Sequence, residues 1–138
     1  MGRKNINTNE WYDLLESKIY NKVAKRITKE NGSDVFCTTD EVNIADTEFP
    51  TVWVHELEYP ERGMDLTNTS INAVLYNMQI DVYSKDKAES KKIMRFAVSE
   101  MKELCFNVIS MPLTMQIGAD LYHTVARFRR MIGGGDKI

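Results

Sequence analysis

The sequence predicts an α+β domain: a mainly antiparallel, mixed sheet of about four to five strands with two amphipathic helices on one face. Two segments repeat apolar residues every three or four positions, which is the helical period. Several others alternate apolar and polar residues, as half-buried strands do. The segments follow in the order helix, strands, helix, strands, which builds two layers around one core.

The first helix opens at Asn7, Thr8 or Asn9 as N-cap, with Glu10 and Asp13 in its first turn. Trp11, Leu15, Ile19, Val23 and Ile27 recur every four residues, flanked by Leu14, Tyr20 and Ala24, as far as about Lys29. Asn31-Gly32 ends the helix. Val35 to Thr38 is a short extended piece, and the acidic stretch Thr39–Pro50 reads as a loop. Thr51–Glu58 alternates Val52, Val54, Glu56 and Glu58 against Trp53, His55 and Leu57, a strand with mixed faces. Tyr59–Ser70, with Pro60, Gly63 and Asn68, is too long for a tight turn and reads as an extended, mobile hairpin loop.

Ile71–Tyr83 is the clearest strand. Val74, Tyr76, Met78, Ile80 and Val82 form an unbroken apolar face, and Asn77, Gln79 and Asp81 line the other. Ser84-Lys85-Asp86 caps a second helix over about Asp86–Glu103. Its inward positions are Ala88, Ile93, Met94, Ala97, Val98, Met101 and Leu104, and its outer face carries Lys85, Lys87, Lys91, Lys92, Arg95 and Lys102. Cys105–Met115 is a strand that Pro112 confines to an edge or a bulge. After a turn at Gly118-Ala119-Asp120, Leu121–Ile132 is the last strand, alternating Tyr122, Thr124, Ala126 and Phe128 against Leu121, His123, Val125, Arg127 and Arg129. Residues 1–132 thus form one domain, followed by a flexible glycine-rich tail, 133–138.

A length of 138 residues suits one domain with a real core. With 43% hydrophobic and 28% charged residues the chain has the composition of a globular protein and is not disordered as a whole. No apolar run reaches membrane-spanning length, and the N-terminus lacks the apolar stretch of a secretory signal, so a cytosolic protein is expected, with no membrane partner. Met1-Gly2 does not make a myristoylation motif, because Ile6 stands where Ser or Thr is needed. Cys37 and Cys105 lie in apolar contexts without metal-ligand spacing and read as small buried hydrophobes. The net charge of −2 is unevenly spread. Between Asn31 and Asp65 nine acids face a single base, Arg62, while both flanks are basic, a pattern suited to copies that meet through complementary potentials.

The supply of chemistry is thin. His55 and His123 sit on separate strands with no second histidine or cysteine at ligand spacing, and His55 and Glu56 point to opposite faces. Both read as satisfied structural histidines, and no catalytic, cofactor or metal site is expected. The terminal triple glycine precedes no helix and no Gly-Lys-Ser/Thr, so it makes no phosphate cradle. Arg127, Arg129 and Arg130 beside Phe128 and Tyr122 make a basic strand end, and Lys18, Lys22, Lys25, Arg26 and Lys29 line the first helix. A pI near 5.7 and the lack of a recognisable module argue against dedicated nucleic-acid readout.

The stretch Asn77-Met78-Gln79-Ile80-Asp81-Val82-Tyr83, the lysine-rich helix through Lys91-Lys92, Leu104-Cys105-Phe106, and Tyr122-His123-Thr124-Val125-Ala126-Arg127-Phe128 together resemble the tail terminator (tail completion) proteins of siphophages that infect Firmicutes. The motifs cover about half of the chain, the remainder matching by element order and length. Cys105 stands where the family pattern has glycine, and Arg129-Arg130 is more basic than the pattern. The resemblance implies a lambda-like tail terminator fold and a homo-hexameric ring on the last ring of the tail tube. That ring stops tube polymerisation, joins the head completion or connector protein, and lets phage DNA pass unread. The resemblance further implies a virion location at the head-proximal end of the tail, reached from the host cytoplasm during assembly. On this reading Glu61, Arg62, Gly63, Met64, Asp65 and Leu66 form a loop that contacts a neighbouring subunit or the tube. Asp40, Glu41, Asp46 and Glu48, with Glu61 and Asp65, supply acids for the lumen or a subunit boundary, and Arg127, Arg129 and Arg130 a basic interface. The alternatives are a head-side connector or other neck component, and, from another class, a small enzyme or nucleic-acid-binding module.

Overall fold

The computed structural model describes residues 11–57, 61–64 and 71–138. After a 3-10 turn at Trp11–Leu14 come α1 (Leu15–Asn31), β1 (Phe36–Thr38), β2 (Thr51–Glu56), β3 (Glu61–Met64), β4 (Ile71–Ser84), α2 (Lys87–Glu103), β5 (Asn107–Gly118) and β6 (Leu121–Gly133). The expected α+β architecture is present. The strands form one sheet in the order β1-β2-β4-β6-β5, and β3 pairs with β4 beyond the end of β2. Among the described residues β1–β2 is parallel and the other pairings are antiparallel. Glu61–Met64, expected within a mobile loop, is therefore a strand: its register runs from Glu61 opposite Leu75 to Met64 opposite Ile71. The expected loop residues Asp65 and Leu66 lie outside the described residues, as do the N-cap candidates Asn7, Thr8 and Asn9 with Glu10.

The even-numbered face of β4 is the floor of the core. Val74, Tyr76, Met78, Ile80 and Val82 are fully buried under Ile19, Val23 and Ile27 of α1 and Ile93, Ala97 and Met101 of α2. Each such side chain removed from water contributes about 1.5–3 kcal/mol against the chain's ordering entropy. Several polar groups that share this layer are paired. The Tyr76 hydroxyl donates to Glu56 Oε2 at 2.6 Å, and the Glu56 N–H donates to Glu16 Oε2 at 3.0 Å, tying α1, β2 and β4 together. The buried Ser90 and Thr124 hydroxyls bond each other, and Thr114 bonds Thr124 at 2.8 Å. Ser90 occupies the inward place in the first turns of α2 that was expected for Ala88, which is exposed. Val98, also expected inward, is half-buried.

The helix ends follow from their residues. Gly32 (φ +77°) closes α1 in the left-handed conformation. Asp86 caps α2 by accepting the Ala88 N–H at 3.0 Å, and Ser84 Oγ accepts the Asp86 N–H and donates to Glu89 Oε1. At the other end of α2 the Phe106 N–H bonds Met101 O and the Cys105 N–H bonds Lys102 O, both at 2.9 Å. These two bonds define a Schellman closure with Cys105 at its left-handed position, φ +67°. Cys105 is thus an exposed helix-end residue, not a buried strand residue, and β5 begins only at Asn107. Cys37 is half-buried, and burial pushes its thiol up to about 11.

Residues after β6 fold back as a turn. The Asp136 N–H donates to Gly133 O at 3.0 Å, and the Gly133 N–H donates to Asp136 Oδ2 at 2.7 Å. Gly134 packs so closely on the Trp11 indole that a Cβ there would lie 3.1 Å from its nitrogen. Ile138 packs against the core.

Candidate functional site: the open sheet face and its two edges

Both helices cover one face of the sheet, so the odd-numbered residues of β2, β4 and β6 make an open face. Its centre is Asp81, only 3% exposed although no helix covers it. His55 Nε2 lies 2.9 Å from Asp81 Oδ1, His123 Nε2 2.7 Å from Oδ2, and Gln79 Nε2 donates to Oδ1 at 2.9 Å. The register explains this convergence: Trp53 faces Asp81 on β2 and Val125 faces it on β6, so each histidine reaches Asp81 along a diagonal. Trp53 stacks on His55 at 3.7 Å and Tyr83 on His123 at 4.4 Å, sealing the carboxylate beneath rings. Burial alone would raise the Asp81 pKa. The hydrogen bonds from His123, His55 and Gln79 outweigh it and lower the pKa to about 2.

The two histidines, expected to be separate, therefore share one buried anion. Among the described residues no hydroxyl or thiol bonds either imidazole, and no group of three or more His, Cys, Asp or Glu side chains is placed to hold a metal ion. The cluster locks three strands together. Beside it Arg127 Nε donates to Gln79 Oε1 and Arg129 Nε to Asn77 Oδ1, both at 2.8 Å, which ties both guanidinium groups to the open face of β4. Arg130, grouped with them from sequence, points to the helix side. It donates to the Leu104 carbonyl at 2.7 Å and lies 3.5 Å from Asp136.

The β5 edge is the least expected surface. Ile109, Met111, Leu113, Met115 and Ile117 are all exposed, Met111 by 76% and Leu113 by 57%. Leu113 pairs with Val125 and Met115 with His123, so these two side chains extend the open face, while the register shifts around Ser110 and Leu113 where Pro112 interrupts the strand. On the helix side Met111 and Pro112 border a groove whose other wall is Lys91, Arg95, Val98 and Lys102 of α2. The alternation Ile109-x-Met111-x-Leu113-x-Met115-x-Ile117 is visible in the sequence, but such a row ordinarily marks a face turned to the core.

At the opposite edge, beyond β1, Asp40, Glu41, Asp46 and Glu48 are all exposed on the segment 39–50. They border a shallow cleft with Phe36, itself 52% exposed. Short side-chain bonds shape this segment: the Asp40 N–H donates to Thr38 Oγ1 and Asn43 Nδ2 donates to Asp46 Oδ2, both at 2.9 Å. The acids and the apolar row thus occupy opposite ends of the sheet.

No protein-family model and no curated protein matches this sequence. Among solved structures, a chain described as "Virion of native gene transfer agent (GTA) particle" aligns over 83% of this chain and 94% of that chain, with 12% identity and a TM-score of 0.43.

Proposed function

We propose that this chain is a structural protein of a phage tail, a tail terminator that caps the tube as a ring, stops its polymerisation and offers the surface for head joining. One observation carries the reading: a long edge strand displays a row of large apolar side chains to solvent. A monomeric protein blunts such an edge, because exposed apolar strands invite association, so this one is built to meet protein. The resemblance of residues 76–132 to tail terminators supplies the kind of assembly, and the polar side chains of the open face are engaged in bonds that tie strands together. The partners on this reading are other copies of the chain, the tail tube protein and the head completion protein, with DNA passing through the lumen unread.

The test is deletion of the gene in a phage that carries it, with electron microscopy of the tails. Overlong tails without heads are expected. Tails of normal length that fail to join filled heads would instead assign the chain to the head-side neck, and normal infectious particles would remove it from assembly altogether.

A further inference from the structure

We propose that the β5 edge of one copy docks the acidic edge of a second copy, head to tail, which deepens the ring reading by naming the two surfaces that meet. The β5 edge combines exposed Met111, Leu113 and Met115 with a basic rim, Lys91, Arg95 and Lys102, along the neighbouring side of α2. The far edge of the same sheet combines exposed Phe36 and Ile44 with Asp40, Glu41, Asp46 and Glu48. Each edge therefore offers an apolar centre and a charged border, and the borders have opposite sign. Such complementarity both attracts the correct edge and rejects a like one, since two β5 edges would bring six cations together.

Because the two patches differ and lie at opposite ends of one sheet, the contact is heterologous. It repeats around a ring if the rotation per copy closes, and runs on as a filament if it does not. Pro112 and the shifts of register beside it remove regular hydrogen-bonding positions from the outer side of β5. The edge is thereby kept from simple strand addition, and side chains are left to recognise the partner.

The experiment is a charge swap read by sedimentation velocity over a range of protein and salt concentrations. One variant carries Lys91→Glu, Arg95→Glu and Lys102→Glu, and the other carries Asp40→Lys, Glu41→Lys, Asp46→Lys and Glu48→Lys. All seven side chains are exposed, and unchanged urea melts check that both variants fold. The wild type should self-associate, less so as salt rises. Each variant alone should associate at least about tenfold more weakly, as expected for several lost and reversed border pairs. An equimolar mixture of the two should recover association, since the first has two acidic edges and the second two basic ones. Leu113→Ser with Met115→Ser should weaken association while leaving charge unchanged.

A wild type that stays monomeric at every concentration, undiminished association in both charge variants, or loss without recovery on mixing would each overturn the proposal. The two readings fail separately. Overlong tails from the gene deletion together with a failed charge swap keep the terminator and reject this interface; a successful swap with normal tails does the reverse.

Discussion

Asp81 is held ionised in a place where burial works against charge, and the consequence is a definite pH dependence. Its folded pKa, about 2, lies below the ordinary 3.8. A depressed carboxylate contributes stability that is fully present above the unfolded value and is lost as pH falls through the folded one. The loss therefore runs from about pH 4 down to about pH 2 and amounts to roughly 2 kcal/mol. Urea unfolding of the wild type and of Asp81→Asn across that window should show this slope in the wild type and not in the variant; parallel curves would dissociate the acid sensitivity from Asp81. Cys105 carries a different signature. A non-glycine residue at φ +67° bears a steric cost that glycine does not. Cys105→Gly should raise stability by about 0.5–1 kcal/mol, and Cys105→Ala should not. The left-handed backbone at position 105 is the conformation that favours the glycine found there in the sequences this chain resembles.

At the scale of elements, β4 and β5 both alternate apolar residues, and they do opposite things. Met78 in the middle of β4 is fully buried between the helices and the neighbouring strands, whereas Met115 on β5 is exposed. Met78→Ala should cost about 2–5 kcal/mol, through lost transfer energy and the cavity left behind. Met115→Ala should change the stability of the isolated chain by less than about 0.5 kcal/mol. Equal effects of the two substitutions on the urea midpoint would show that β5 is covered in the free protein. The helices were legible because their apolar stripes, Leu15-Ile19-Val23-Ile27 and Ile93-Ala97-Met101, are local patterns that each need one covering surface. β3 was not legible: four residues, Glu61–Met64, including a glycine and an arginine, carry no alternation, and their strand conformation comes from pairing with β4.

For the whole molecule, one sheet floors one core, and both helices pack on it and on each other. Arg26 of α1 reaches Glu100 of α2 at 3.1 Å and also bonds Glu103. Trp11, the first described residue, packs against Gly134 after β6. Unfolding should therefore be a single cooperative transition, with tryptophan fluorescence and far-UV circular dichroism tracing the same curve. Trp53 reports from the open face and Trp11 from its contact with Gly134, so two separated midpoints would divide the domain. His55→Gln together with His123→Gln keeps an amide donor at each position facing Asp81; on the proposed function this double variant should still support assembly, which complementation of the gene deletion checks.

The sequence by itself determined the α+β class, the two helices, the long strand at Ile71–Tyr83 and the apolar face of that strand. Those properties depend on periods of two and about 3.6 residues, and a period is local. Only the tertiary structure decided that β6 lies between β4 and β5, because strand order is set by pairing between segments distant in the chain. That order brings His55 and His123 to the same carboxylate, and it leaves β5 at the edge. An alternating row states only that apolar side chains recur; the register shifts around Pro112 turn Met111 to the helix side and Leu113 and Met115 to the open face, and the described residues leave all three exposed.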